Sequence, residues 1–372
     1  MNKLHKYAFS DLYDMTSGIS STKEQAGHGA PFASFSTVFN NHFLPDELPD
    51  LMDTSEREQE TYSIKKGDIL ITRTSETVDE LAMSCVALKD YPQATYSGFV
   101  KRLRPKTTGI VYDKYMGFFL RSKYFRKVIN SNTTMTLRAS FNEDIFSFLM
   151  LYLPDYKEQV KIGNMLYNLE KKVQINRKIN DNLQQMAYDT YMHLFWGKKP
   201  NGKLGEIIIE NAKSSVQVGE AKGVKSRFPF FTSGDAILEW GCSMTNGRNC
   251  FLNTGGNAGV KFYVGEAAYS TDTWCITANG ELEDYLYLLL LSITPELSQK
   301  FFQGTGLKHL QKPLMKDRKI YIPTSCEIFD FNSKVKPWMN QISANSQENK
   351  YLTSLRDWLL PMLMNGQAVV EG

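Results

Sequence analysis

Among 372 residues there is no Cys-x-x-Cys pair, no Pro-Pro pair and no apolar run long enough to cross a bilayer. Each absence excludes something. The five cysteines (Cys85, Cys242, Cys250, Cys275, Cys326) are odd in number and lack ligand spacing, so they read as buried free thiols of a reducing cytosol. His5, His28, His42, His193 and His309 form no His-x-x-x-His or His/Cys set, which argues against zinc. Without Pro-Pro there is no Asn/Asp-Pro-Pro-aromatic turn, the device by which amino-methyltransferases hold a target amine. The longest apolar stretch, Tyr285–Leu291, is too short to span, and no cationic segment with an apolar one behind it opens the chain, so a cytoplasmic location is expected. A net charge of +3 is too mild to indicate a partner, although the acidic stretch Asp46–Glu60 leaves the remainder more basic.

What is present is a long heptad stripe that occurs twice. From Leu153 to Trp196 apolar or small residues recur at alternating steps of four and three: Ile162, Leu166, Leu169, Val173, Asn176, Asn180, Leu183, Ala187, Thr190 and Leu194. Moved along 169 positions, so that Asn176 falls on Asn345, the stripe becomes Phe331, Val335, Trp338, Ile342, Asn345, Asn349, Leu352, Arg356, Leu359 and Leu363. The entrance repeats as well: Tyr152-Leu153-Pro154 and Glu158 fall on Tyr321-Ile322-Pro323 and Glu327. This spacing is too long for a solenoid and indicates a duplicated half-molecule.

The chain then divides into a globule (1–152), a long helix (153–198), a second globule (199–322) and a second long helix (323–372). In the first globule Ile64–Thr72, Leu81–Leu88 and Ser97–Leu103 read as strands. Tyr115–Ile129 reads as one helix with Arg121, Lys123, Arg126 and Lys127 on its wetter side. The first long helix should run Tyr156–Trp196, roughly 60 Å, and stop at Gly197-Lys198-Lys199-Pro200-Asn201-Gly202. The second should begin in earnest near Ser333, with Pro337 in its first turn, and stop at Asn365-Gly366. An apolar stripe of this length is unfavourable in water, so each seam needs a partner, and the other seam is nearest. A compact second globule between the helices makes the pair antiparallel. Asn176 and Asn180 then meet Asn345 and Asn349, polar layers that cost stability and fix register. The pairing residues expected are Leu166, Leu169, Val173, Asn176, Asn180, Leu183, Ile342, Asn345, Asn349 and Leu352. The fold class is α+β: two mixed α/β globules and two long antiparallel coiled-coil helices, an internal repeat with an approximate two-fold relation.

Two patterns suggest catalysis and fail on context. Thr254-Gly255-Gly256-Asn257-Ala258-Gly259 resembles a phosphate loop but precedes a strand-like Val260–Val264 and not a helix. Pro154-Asp155…Glu170-Lys171-Lys172 matches the nuclease PD…ExK pattern, yet Glu170 and Lys172 lie mid-helix, far from Asp155.

At these residues the sequence resembles the specificity (S) subunits of type I restriction–modification systems, over essentially the whole chain. The resemblance rests on Leu153-Pro154…Glu158-Gln159 with its Asn-rich helix, and on Leu352…Leu355-Arg356-Asp357-Trp358-Leu359-Leu360-Pro361…Asn365-Gly366. Lys66-Gly67-Asp68-Ile69-Leu70-Ile71 and Phe228-Pro229-Phe230-Phe231-Thr232-Ser233-Gly234 add to it. Pro337 departs from the family's helices. The resemblance implies that each globule is a DNA target-recognition domain reading half of a bipartite site in double-stranded DNA. It further implies that two adenine-N6 methyltransferase (M) subunits, which carry the S-adenosylmethionine, dock on the helices, and that restriction (R) subunits can join. The chain itself would be non-catalytic and without cofactor.

Given that role, phosphate affinity should come from Lys and Arg, and sequence choice from side chains at base edges. The candidates in the first globule are Ser34, Ser36, Arg73, Arg102, Arg104 and Arg138. In the second they are Arg227, Thr232, Ser233, Arg248, Asn249, Lys308 and His309, with Arg138 and Lys308 at matched places of the repeat. Asp46–Glu60 should face away from DNA. Two readers on one side of a duplex suggest half-sites about 34–36 Å apart. The competing reading is a two-ended coiled-coil adaptor without DNA specificity, whose binding would show no steep salt dependence.

Overall fold

The structure, a computed structural model, describes residues 4–20, 22–77, 80–132, 139–304, 306, 308–368 and 370. It divides into two compact units, residues 1–173 with 351–372, and residues 174–350. Each unit holds one globule and the adjoining halves of both long helices.

In the first unit an antiparallel sheet runs in the order Tyr13–Ser17, Val100–Pro105, Ile69–Thr72, Ser84–Val86. A second sheet sets Ala26–Ala33 between antiparallel Asp50–Met52 and parallel Thr95–Tyr96. His5–Ala8 pairs with Met150–Leu153, tying the start of the globule to the entrance of the first long helix. The second unit repeats this plan in order and sense. Its first sheet runs Ile208–Glu210, Thr273–Ala278, Arg248–Asn253, Val260–Val264. In its second sheet Phe228–Phe231 lies between antiparallel Leu238–Trp240 and parallel Ala268–Tyr269. Gly202–Lys203 with Lys319–Ile320 takes the place of the entrance pair. The duplication is therefore one of topology as well as of heptads.

Tyr115–Ile129 is two helices, Asp113–Phe119 and Lys123–Ser131. The break is made by Ser122, whose Oγ accepts from Phe125 N–H and so starts a new helix. Arg121 is not on the wet side: its guanidinium donates to the carbonyls of Ser84, Val38 and Phe39, and burial pushes its pKa down to about 10. The cysteine expectation holds for Cys85, Cys250 and Cys275, whereas Cys242 and Cys326 are exposed.

The long helices run Tyr156–Phe195 and Ser325–Met364. The second starts well before Ser333, because Thr324–Glu327 is a reciprocal cap: Thr324 Oγ1 accepts from Glu327 N–H, and Glu327 Oε2 accepts from Thr324 N–H. Pro337 is mid-helix on an exposed face, so the bond it denies to the carbonyl of Ser333 is lost beside solvent. Every position of both stripes is buried or half-buried.

Within the first unit Ile162 and Leu166 share one core with Leu363 and Met364, and Glu170 accepts from Arg356. Within the second, Phe195 meets Phe331 edge-on at 5.3 Å, and Asn345 Nδ2 donates to Asn180 Oδ1 at 2.8 Å. Asn176 Nδ2 donates to Asn349 Oδ1 at 3.0 Å and to Glu348 Oε2 at 2.6 Å. In both units rising numbers on one helix meet falling numbers on the other, so the pairing is antiparallel. Val173 is buried in the seam; Leu169, Leu183, Ile342 and Leu352 are half-buried there. No helix among the described residues is long and apolar enough to cross a membrane.

Candidate nucleic-acid interface

The helix bearing the second globule grips it through a polar stripe separate from the seam. Asn332 Nδ2 donates to Glu281 O at 2.8 Å, and Lys336 pairs with the same residue's carboxylate. Arg248 donates to Asn340 Oδ1, Ser343 Oγ accepts from Val264 N–H at 3.0 Å, and Gln347 donates to Tyr263. Lys350 Nζ donates to the carbonyls of Ser226 and Arg227 at 2.6 and 2.9 Å. These residues recur at steps of three and four, one helix face. The first globule is seated on the first long helix. Gln159 Nε2 donates to the carbonyl of Ile110, Tyr112 OH donates to Asn164 Oδ1, and Tyr167 packs edge-on against Phe43. An added Cβ at Gly163 would stand 2.7 Å from Tyr115 N.

With the sheets so fixed, matching loops gather at one end of each. In the first globule Arg73 N–H donates to Phe99 O and Arg73 O accepts from Phe141 N–H, both at 2.8 Å; Thr74–Ser75 then pairs with Ala139–Ser140. In the second, Thr254 N–H donates to Asp272 O at 3.1 Å and Thr254 O accepts from Leu310 N–H at 3.0 Å, while Gly255 bridges to His309. Arg73 and Thr254, Phe99 and Asp272, and Phe141 and Leu310 are thus equivalent pairs. The glycine run is the turn between strands Arg248–Asn253 and Val260–Val264, with Gly256 at φ +77° and Asn253 donating to Asn257 O.

The expected contact residues divide sharply. Arg73, Lys308 and His309 are exposed in these loops. Arg227 is exposed near Glu266, and Ser36 is exposed beside Ser34. Arg138 lies outside the described residues.

The others are engaged in contacts within the protein. Ser34 caps the helix Phe35–Asn40, its Oγ accepting from Thr37 N–H. Arg102 is buried under Tyr96 and donates to Ser63 O; Arg104 donates to the same carbonyl and pairs with buried Asp68 at 2.6 Å. Strand alternation separates these two arginines from Lys101, which reaches Ser17 Oγ at 2.8 Å on the other face. Arg248 holds fully buried Asp284 bidentately, with Nη2–Oδ2 at 2.7 Å. Asn249 is buried between Asn211 and the carbonyl of Asn246. Thr232 is buried and donates within its own turn, while Ser233 donates to Asp272 O. Phe99, Lys101 and Thr254 were missed as neighbours of Arg73 and His309, because that proximity is made by strand register across the sheet.

Among the described residues no group of three or more His, Cys, Asp or Glu side chains is placed to hold a metal. Of the nuclease-like pattern, Asp155 caps the first long helix by accepting from Glu158 N–H, and Glu170 is taken by Arg356. In the acidic stretch, Glu56 and Glu58 sit in the first turn of the helix Glu56–Thr61.

Comparison with known proteins accords with this doubled plan. The chain is 22% identical over 353 residues to the MjaIX type I restriction enzyme specificity subunit of Methanocaldococcus jannaschii, covering 82% of this chain and 78% of that one. It is 23% identical over 439 residues to the HindI specificity subunit of Haemophilus influenzae, covering 90% and 94%. The crystal structure of a type I restriction–modification S subunit from M. genitalium superposes with a TM-score of 0.68 at 14% identity, covering 97% and 96%, and so shares the fold. The family model for the type I restriction modification DNA specificity domain matches twice, at residues 9–185 and 196–348, and the chain belongs to that family.

Proposed function

We propose that this chain is the sequence-reading subunit of a type I restriction–modification complex, in which each globule reads one half of a bipartite DNA site. The observation that carries this is the pair of equivalent loop clusters, Arg73 with Phe99 in one globule and Thr254 with Lys308 and His309 in the other, each on the same sheet plan. Exposed cations there supply phosphate affinity, and the neutral and aromatic side chains between them supply discrimination. The target adenine, buried in the duplex, has to leave the stack to be modified. That chemistry, and the S-adenosylmethionine it uses, belongs to two methyltransferase subunits, and the same assembly can take up restriction subunits. Tyr351, Leu355 and Trp358 form an exposed stripe on the second long helix, a surface suited to a methyltransferase subunit. The domain limits in this reading are 1–152 and 199–322 for the readers, and 153–198 and 323–372 for the helices that space them.

The test is co-expression with a methyltransferase subunit followed by mapping of methylated adenines. A motif split by unspecified bases supports the reading. A continuous motif, or no methylation with salt-insensitive DNA binding, favours the adaptor.

A further inference from the structure

Phe99 is 65% exposed, yet it stands on a turn closed by several hydrogen bonds. Its N–H donates to Ser97 Oγ and its carbonyl accepts from Arg73 N–H. The neighbouring Gly98 N–H donates to Ile19 O at 2.7 Å, and Val100 N–H closes the turn onto Ser97 O. A Cβ at Gly98 would meet Ile19 O at 2.9 Å, and one at Gly18 would collide with Ser97 O. The ring is thus presented by a rigid backbone, where a mobile loop could fold it onto the core.

Its surroundings are cationic. Thr72 pairs with Val100 across the sheet, which sets exposed Arg73 opposite Phe99 on one face, and Lys101 shares that face two residues on. Lys101 is held down in pKa by burial and by Arg73; Glu143 is the acid opposing that shift. Phe148 is barer still at 78% but ends the short helix Glu143–Phe148 with Asp144 one turn before it, where a polyanion would be repelled. An exposed aromatic ring whose neighbours in strand register are Arg73 and Lys101 suits a polyanion with stackable bases.

Resting on the sequence-reading function above, we propose that Phe99 is a stacking wedge. Its ring packs against a base at a step of the half-site read by the first globule, with Arg73 and Lys101 on the flanking phosphates. Asp272 occupies the equivalent place in the second globule, so the wedge acts on one half-site only. Inserted apolar side chains partly unstack a base step, and each base–aromatic contact is worth about 1–3 kcal/mol, roughly fivefold to 150-fold in affinity.

The experiment uses the chain assembled with its methyltransferase subunits and duplexes of the mapped motif carrying 2-aminopurine at successive positions. Wild type should raise fluorescence at one position of the first half-site. Phe99→Ala should lose that rise and bind roughly fivefold to 150-fold more weakly with an unchanged salt slope, while Phe99→Trp should keep both. Phe99→Leu, which keeps apolar bulk without a π-face, should fall between, and melting curves should show all variants folded. Unaltered affinity and fluorescence in Phe99→Ala, with wild type binding the motif, overturn the wedge alone. Wild type that binds without salt dependence overturns the sequence-reading function beneath it.

Discussion

Asn345 donates to Asn180 at 2.8 Å across the helix pair, and the two residues hold nearly mirrored places in the repeated stripe. Asn180 in turn donates to the carbonyl of Ile342, and Gln341 donates to Asn345. Replacing only Asn345 by Leu leaves Asn180 short of a partner in a half-buried seam, and should cost about 1–3 kcal/mol in urea unfolding. The double change Asn180→Leu with Asn345→Leu should recover most of that loss, because two matched apolar groups replace two matched polar ones. A cycle in which the two losses simply add would show that the pair is not coupled.

Arg248 and Arg73 make opposite forecasts, although both are arginines near a loop. Arg248→Met strands fully buried Asp284, whose carboxyl burial already raises in pKa, and should destabilise the protein by about 3–5 kcal/mol. Arg73→Ala and Lys308→Ala should leave thermal unfolding nearly unchanged, since both side chains are exposed. Each should lower the salt slope of DNA binding by about one. Thermal melts and salt titrations on the same three variants check both statements.

Gly163 carries the close seat of the first globule on its helix. Gly163→Ala pushes a methyl at Tyr115 N and the Tyr112 ring, and should cost about 1–3 kcal/mol despite alanine's better helix propensity. Chemical denaturation measures it, and a gain in stability would mean the seat is looser than 2.7 Å implies.

Glu327 sets an acid-side signature. Hydrogen bonds from Lys198, from Thr324 and from Tyr321 pull its pKa down to about 2. A carboxylate depressed on folding adds stability that is present above its unfolded pKa, near 4.5, and lost as pH falls toward 2. Glu327→Gln should therefore melt below wild type at pH 7, and the gap should close by about pH 2–3. Because the group is partly exposed, added salt should shrink the difference.

How much of this could be read from the chain alone follows from the range of the interactions. The seam was legible because heptad burial is periodic and local, and the asparagines mark its register. The true start of the second helix was written in Thr324–Glu327, a cap outweighed in the reading by Pro337. The contact residues were the hard part. Strand period separates Arg102 and Arg104 from Lys101, but only the fold shows that the arginines face inward, toward Asp68 and Ser63. Nothing local distinguishes Arg248, clamped by Asp284, from Arg73, which is exposed.

The most direct test of two independent readers is a swap of residues 1–150 for the corresponding globule of another specificity subunit, with methylated adenines mapped in the assembled complex. One half of the motif should change while the other half and the spacing stay as they were. A change in both halves would contradict the division of reading between the globules.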